Sequence, residues 1–245
     1  MKEYVERFYR DWCSKGDDKK VYTVKYRESD LLIKSDEDYS EFVLNILKEF
    51  HEEIMSYSLV DPYFLNALKY YEMNIPKPHI VSLMFSAAKE FNIGPMAAVA
   101  GAFSQLIGEK LSEKSSTVII ENGGDLFIKS NSPITVGIFA GESPFSGKIG
   151  IKVDQTLHGY IGVCTSSGTV GPSKSFGVAD AAIVVAKDAA FADAGATALG
   201  NLVQKDTNIK ELLKKFIIQH NLIGGMIVRG KELAVYGVQI VKTNS

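Results

Sequence analysis

The sequence predicts an α+β fold in which a helix rich in small residues, followed further along by an antiparallel hairpin, occurs twice. Three observations carry this: short alternating apolar segments that end in turn-forming residues, two helical runs dense in alanine and glycine, and the recurrence of the helix-then-hairpin order, once ending at Phe127 and once at Val235. With 245 residues, 46% hydrophobic and 23% charged, the chain has ordinary globular composition and can bury a sizeable core. It reads as one domain over residues 1–245, the hairpin and helices of residues 1–75 packing on a core of residues 78–245. Pro76-Lys77-Pro78 marks the boundary, because proline restricts its own backbone and that of the residue before it.

Residues 21–26 alternate in polarity and Leu31-Leu32-Ile33 answers them, a hairpin pattern. Phe42, Ile46, Leu47, Phe50 and Ile54 recur at helical spacing within residues 38–57. Asp61-Pro62 suits a helix start, aspartate as cap and proline in the first turn, and predicts a short helix over 62–70. Residues 79–91 form the next helix, and Gly94-Pro95 opens another that runs to about Leu111.

Residues 117–121 and 126–129 read as strands joined by Asn122-Gly123-Gly124-Asp125, and further strands are expected at 134–139, 148–153, 160–164 and 181–186. Asp188 caps a helix to about Val203 and Asn208 caps a second to about His220. Strands at 226–229, 232–236 and 238–241 complete the pattern.

Composition removes several functional classes. A net charge of -2, from 27 basic and 29 acidic residues, gives no global field to hold nucleic acid or an anionic membrane, so neither is expected as a partner. No window reaches the roughly 18 uncharged apolar residues that a bilayer span needs. Two distant cysteines, Cys13 and Cys164, and an opening Met1-Lys2-Glu3-Tyr4 unlike a leader point to a reducing, cytoplasmic setting.

Chemistry concentrates in two stretches that crowd small, oxygen-bearing residues. Gly94-Pro95 precedes a helix whose first N–H groups face whatever lies in front of Gly94, an anion site or simply a tight opening turn. In Asn122-Gly123-Gly124-Asp125 the second glycine and the flanking acids exceed what a hairpin turn requires, although a plain turn remains the alternative. Thr165, Ser166, Ser167 and Gly168, followed by Ser173, Lys174 and Ser175, supply hydroxyls, N–H groups and one cation suited to phosphate or carboxylate, where the bland reading is a solvated loop.

Cys164, at a strand end beside that turn, is the candidate nucleophile; inert packing is the competing role, and no histidine neighbours it in sequence. Asp193 and Thr197, four apart on a helix, stack on one face and offer hard oxygens to Mg2+, while Gly195 between them marks either a ligand or close packing. His51, His79, His158 and His220 form no pair with metal spacing. Gly141 to Ile149 imitates a P-loop but is one residue too long and lacks the terminal hydroxyl.

Taken in order, Gly94-Pro95-Met96-Ala97-Ala98-Val99-Ala100-Gly101, Glu121-Asn122-Gly123-Gly124-Asp125 and Cys164-Thr165-Ser166-Ser167-Gly168-Thr169 resemble the hallmark runs of the ApbE-like superfamily, in an uncharacterised archaeal and bacterial branch related to the FAD:protein FMN transferases. The resemblance extends from about Pro78 to the C-terminal strands and implies an ApbE-like fold. In the transferases an Asn-x-Gly-Gly-Asp turn contributes to the flavin site and an Ala-Asp-Ala-x-Ala-Thr-Ala helix supplies Mg2+ ligands. Ala192-Asp193-Ala194-Gly195-Ala196-Thr197-Ala198 is similar to the second, which implies Mg2+ at Asp193 and Thr197.

The transferases' Lys-Gly-Tyr-Ala-Val-Asp run is replaced here by Ala100-Gly101-Ala102-Phe103-Ser104-Gln105, and their His-Ile-Ile-Asp-Pro segment by Pro172-Ser173-Lys174-Ser175-Phe176-Gly177. Bound flavin and FMN transfer are therefore not expected. The leading expectation is a protein that binds a small phosphorylated or carboxylated anion with Mg2+. The alternatives are a sulfur-transfer role for Cys164, since the branch resemblance implies an association with sulfide assimilation, and a non-catalytic scaffold for a metabolic enzyme. Self-association stays open.

Overall fold

The computed structural model describes residues 18–154, 158–168 and 177–243. Eight strands form one antiparallel sheet in the order β1-β2-β3-β4-β7-β8-β9-β10, and three more form a second sheet, β11-β6-β5. In chain order these are β1 Lys20–Tyr26, β2 Ser29–Ser35, β3 Val118–Asn122, β4 Asp125–Lys129, β5 Ile134–Gly137, β6 Ile149–Val153, β7 Ile161–Ser166, β8 Ala181–Ala186, β9 Gly224–Arg229, β10 Glu232–Tyr236 and β11 Gln239–Lys242. The helices are α1 Ser40–Val60, α2 His79–Phe91, α3 Val99–Ser112, α4 Ala189–Leu202 and α5 Ile209–Gln219, with a 3-10 turn Pro95–Ala98 leading into α3.

Side chains alternate across the large sheet, because successive residues of a strand point to opposite faces. In β8, Ala182, Val184 and Ala186 enter the core beneath the helices, while Ala181, Ile183 and Val185 enter a second core beneath the small sheet. The predicted hairpin at the N-terminus is β1–β2, and β2 pairs with β3 through Leu31 opposite Asn122, so it extends the same sheet. Among the described residues no helix is long and apolar enough to cross a membrane.

α4 is buried on almost every side, since it packs on β7 and β8 and against α2 and α3. Only small residues allow so many neighbours to come close, which explains its alanines and glycines. Gly195 faces the Phe91 ring of α2, where an added Cβ would lie 3.1 Å from the ring, so packing accounts for this glycine. The caps expected at Asp188 and Asn208 form: their carboxyl and amide oxygens accept from the N–H groups of Phe191 and Glu211.

One predicted element is corrected. Residues 62–66 form turns rather than the start of a helix over 62–70. The Asp61 carboxylate, meant to cap that helix, instead accepts hydrogen bonds from the hydroxyls of Tyr57 (3.2 Å) and Tyr71 (2.5 Å) and is buried.

Candidate functional site

One end of the large sheet gathers the tip of the β1–β2 hairpin, the β3–β4 turn and the end of β7; the N-terminus of α3 lies against it, while α4 starts beside Gly162, at the other end of β7, and runs toward Ser166. The β3–β4 turn is a two-residue loop in which Gly123 (φ 70°) and Gly124 (φ 104°) both adopt left-handed backbone, the geometry that favours glycine in tight hairpins. Glu121 completes the turn by accepting the Gly124 N–H at 2.7 Å. Asn122 reaches across to the Ala100 carbonyl of α3 at 3.3 Å. Asp125 serves none of these purposes.

Asp125 pairs with Cys164 across the β4–β7 ladder, and its carbonyl accepts from the Ser104 hydroxyl of α3 at 3.0 Å. Its carboxyl group is buried on the helix side, where the Thr165 N–H and the Cys164 thiol approach it. Oδ1 has no hydrogen-bond partner. Burial, and then the neighbouring Asp193 carboxylate, hold the Asp125 pKa well above the usual carboxylate range, against the lowering influence of the Cys164 and Thr165 groups.

Asp193 lies on α4 against α3, which has no capping side chain of its own. Its Oδ2 accepts the Gly101 N–H at 2.9 Å, and the Ala100 N–H also favours its charged form. Asp193 therefore places a carboxylate at the positive end of α3 from 92 residues away. Burial outweighs these donors and pushes its pKa up to about 7. Gly101 makes the approach possible: an added Cβ would stand 2.3 Å from the Ala189 carbonyl oxygen and 2.7 Å from the Asp193 Cβ. Thr197, one turn beyond Asp193, is half-buried.

Cys164 has no exposed surface, and its thiol lies 3.3 Å from the Ala189 carbonyl oxygen. Burial, reinforced by Asp125 and Asp193, raises its pKa well above that of a free thiol. These surroundings hold it as the neutral thiol, the opposite of the electropositive, partly open setting that activates a nucleophilic cysteine, so the geometry gives the expected catalytic role no support.

The turn after β7 begins beside the diglycine bend, with the Thr165 carbonyl oxygen 3.9 Å from where a Gly124 Cβ would be. Ser166 is buried toward Gly200 of α4. Gly168 donates its N–H to the Ala179 carbonyl and abuts the Gly177 backbone, closing the base of the segment between them. Ser173, Lys174 and Ser175 lie outside the described residues. The structure thus brings together Asn122 to Asp125, Cys164 to Ser166 and Asp193. Gly94 stands apart: an added Cβ would fall 1.6 Å from the Ala67 carbonyl oxygen, so close packing on the loop after α1 requires glycine there.

Two polar features of the helix layer escape sequence patterns. Gln105 is 1% exposed; its Oε1 accepts the Ala189 N–H at 2.8 Å while its amide donates to Glu109, joining α3 to the start of α4. His51 of α1 lies 2.9 Å from the Ser29 hydroxyl, with Phe103 of α3 against its ring, and burial lowers its pKa. Both pairs span more than 20 residues, so no local spacing announces them. A separate acidic groove edged by Glu49, Glu53, Glu109 and Glu113 runs along the later turns of α3. Among the described residues no group of three or more His, Cys, Asp and Glu side chains is arranged to hold a metal.

Comparison with known proteins bears on this arrangement. A family model described as AbpE bacteria matches residues 10–215. The UPF0280 protein of Methanothrix thermoacetophila is 39% identical over 208 residues, covering 84% of this chain and 86% of its own. That of Methanocaldococcus jannaschii is 34% identical over 220 residues, covering 84% and 88%. Among solved structures, the apo form of the flavinyl transferase ApbE from Pseudomonas stutzeri superposes with a TM-score of 0.57 at 15% identity, over 92% of this chain and 95% of that one. The apbE protein of Thermotoga maritima gives 0.54 at 14% identity, over 92% and 97%, and at such identities the likeness speaks to fold alone. The chain belongs to the ApbE-like family, within its UPF0280 group.

Proposed function

We propose that the protein binds a small phosphorylated or carboxylated ligand together with Mg2+ where the diglycine bend, the turn after β7 and α4 meet, and that it does not transfer FMN. The observation that carries this reading is the placement of two buried carboxylates from distant segments, Asp125 beside Cys164 and Asp193 at the start of α3, near the hydroxyl-bearing end of β7. Two buried acids repel a bare anion and oppose each other's ionisation. A divalent cation offsets both charges and gives ligand oxygens a positive counterpart, which is the chemistry Mg2+ supplies when bound.

Asp193 and Thr197 are the residues that would hold the cation. With few protein ligands, its remaining positions fall to water and ligand oxygens, the pattern Mg2+ favours. The Thr165 and Ser167 hydroxyls offer donors to the anion, and Gly124 keeps the bend free of a side chain. The flavin expectation stays negative in this reading, because Ala100 to Gln105 lacks the lysine and aspartate that the transferases carry.

Calorimetric titration of the full chain with inorganic phosphate, pyrophosphate, FMN and FAD, each with and without Mg2+, tests the proposal. Binding of phosphate or pyrophosphate that requires Mg2+ is the expected result. Absence of binding at millimolar concentration contradicts it, as does conversion of FAD with FMN left on a threonine of an acceptor protein.

A further inference from the structure

We infer that Asp125 is a ligand of the divalent cation at this site, acting through Oδ1, and not a contact to the anion. The inference rests on the reading that the site takes a cation, and it assigns a role to a residue that the fold does not otherwise need.

Asp125 is 7% exposed, and its Oδ1 is buried without a hydrogen-bond partner. Among the described residues, two other buried carboxylate oxygens share that condition, Asp61 Oδ1 and Glu53 Oε2. Asp61 is anchored through its second oxygen by two tyrosine hydroxyls, and Glu53 is only partly buried. Asp125 differs from both because the charge that acts on its carboxyl most strongly is that of a second buried carboxylate, Asp193.

The backbone contacts at position 125 do not require an acid, and one oxygen of its carboxyl is left without a partner. The β3–β4 turn is satisfied by Gly123, Gly124 and Glu121, and Asn122 bridges to α3. The contacts that tie position 125 into the fold, its ladder pairing with Cys164 and the bond from Ser104 to its carbonyl, are made by backbone and suit any small residue. The carboxyl is also oriented: the Thr165 N–H and the Cys164 thiol approach it, and Oδ1 remains without a partner. A buried oxygen of this kind is costly unless a positive group meets it. An anion meeting the ionised pair would add a third negative charge, whereas a cation lets both carboxyls lose their protons and ionise.

The test is Mn2+ binding, with Mn2+ as a paramagnetic stand-in for Mg2+, followed by electron paramagnetic resonance and by thermal unfolding of the full chain. Wild type, D125N, D125S and D193N are compared, each checked for folding by circular dichroism. We expect the wild type to bind Mn2+ and gain thermal stability from it. D125N should be folded, bind Mn2+ at least about tenfold more weakly and lose the Mn2+-dependent gain. D125S, which removes the charge with a smaller side chain, gives the same readout if D125N does not fold. Wild-type affinity in a folded D125N or D125S, with binding lost in D193N, overturns the role of Asp125 and leaves the cation reading intact. A wild type that binds no Mn2+ overturns both.

Discussion

The two faces of the eight-stranded sheet are built from the same strands and differ sharply in chemistry. Toward the small sheet, Ile128, Ile151, Ile161, Val163, Ile183 and Val185 make an aliphatic core. Toward the helices, the neighbouring positions on β4 and β7 are Asp125, Gly162 and Cys164, joined by Ser104, Gln105 and Asp193 from α3 and α4. The contrast teaches that one face is held by aliphatic packing alone, while the other combines its apolar core with buried polar groups whose hydrogen bonds and charges must be arranged pairwise. Close backbone contact makes this arrangement possible: Gly162 and Gly101 both press on Ala189, at the start of α4.

If the helix face depends on that contact, Gly101→Ala should be the most damaging change. Its Cβ would meet backbone that cannot rotate away, and we expect a loss of about 3 kcal/mol or more, read by urea unfolding. Wild-type stability in that variant would show that α3 and α4 can separate without cost.

Charge gives the next contrast. In the unfolded chain Asp125 and Asp193 ionise near the ordinary aspartate value of 3.8, whereas in the folded protein both hold their protons to higher pH, Asp193 to about 7. The folded state therefore binds more protons between these limits, and stability must fall as pH rises from about 4 through 7. In chelator, unfolding at pH 5 and pH 8 should differ by a few kcal/mol from this pair on the order-of-magnitude scale of pKa linkage, and D193N should flatten the slope. An unchanged slope in D193N would separate the two carboxylates electrostatically.

Asp193→Ala, compared with wild type at pH 5 where this repulsion is relieved, leaves the first N–H groups of α3 without their acceptor. A loss of about 1–2 kcal/mol is expected in chemical denaturation. Ile151→Val on the opposite face should cost about 1 kcal/mol and leave Mn2+ binding unaltered. A change in Mn2+ affinity there would break the separation of the two faces.

Much of the architecture is legible in the sequence because it is local. Alternation along residues 21–26, the Asn-Gly-Gly-Asp turn, and the caps Asp188 and Asn208 each act within a few residues. The helix expected over 62–70 fails because Tyr57 and Tyr71 take the Asp61 carboxylate, a tertiary contact that capping preference does not contain. Gly94 shows the same limit, since its need for glycine arises at Ala67, 27 positions away in the chain. The site is legible as composition: small, oxygen-bearing runs mark Asn122 to Asp125, the turn after Cys164, and Asp193. What composition omits is pairing, such as Asp193 with Gly101, Gln105 with Ala189 and Ser29 with His51.

The most direct measurement is a crystal structure of the full chain grown with Mn2+ and pyrophosphate, with anomalous scattering used to locate the metal. The expected result is one manganese peak contacting Asp193 and Asp125, with pyrophosphate oxygens on the metal and on the turn that starts at Thr165. Manganese found only on remote surface carboxylates, with Asp125 and Asp193 facing each other unbridged, would contradict a shared cation and anion site.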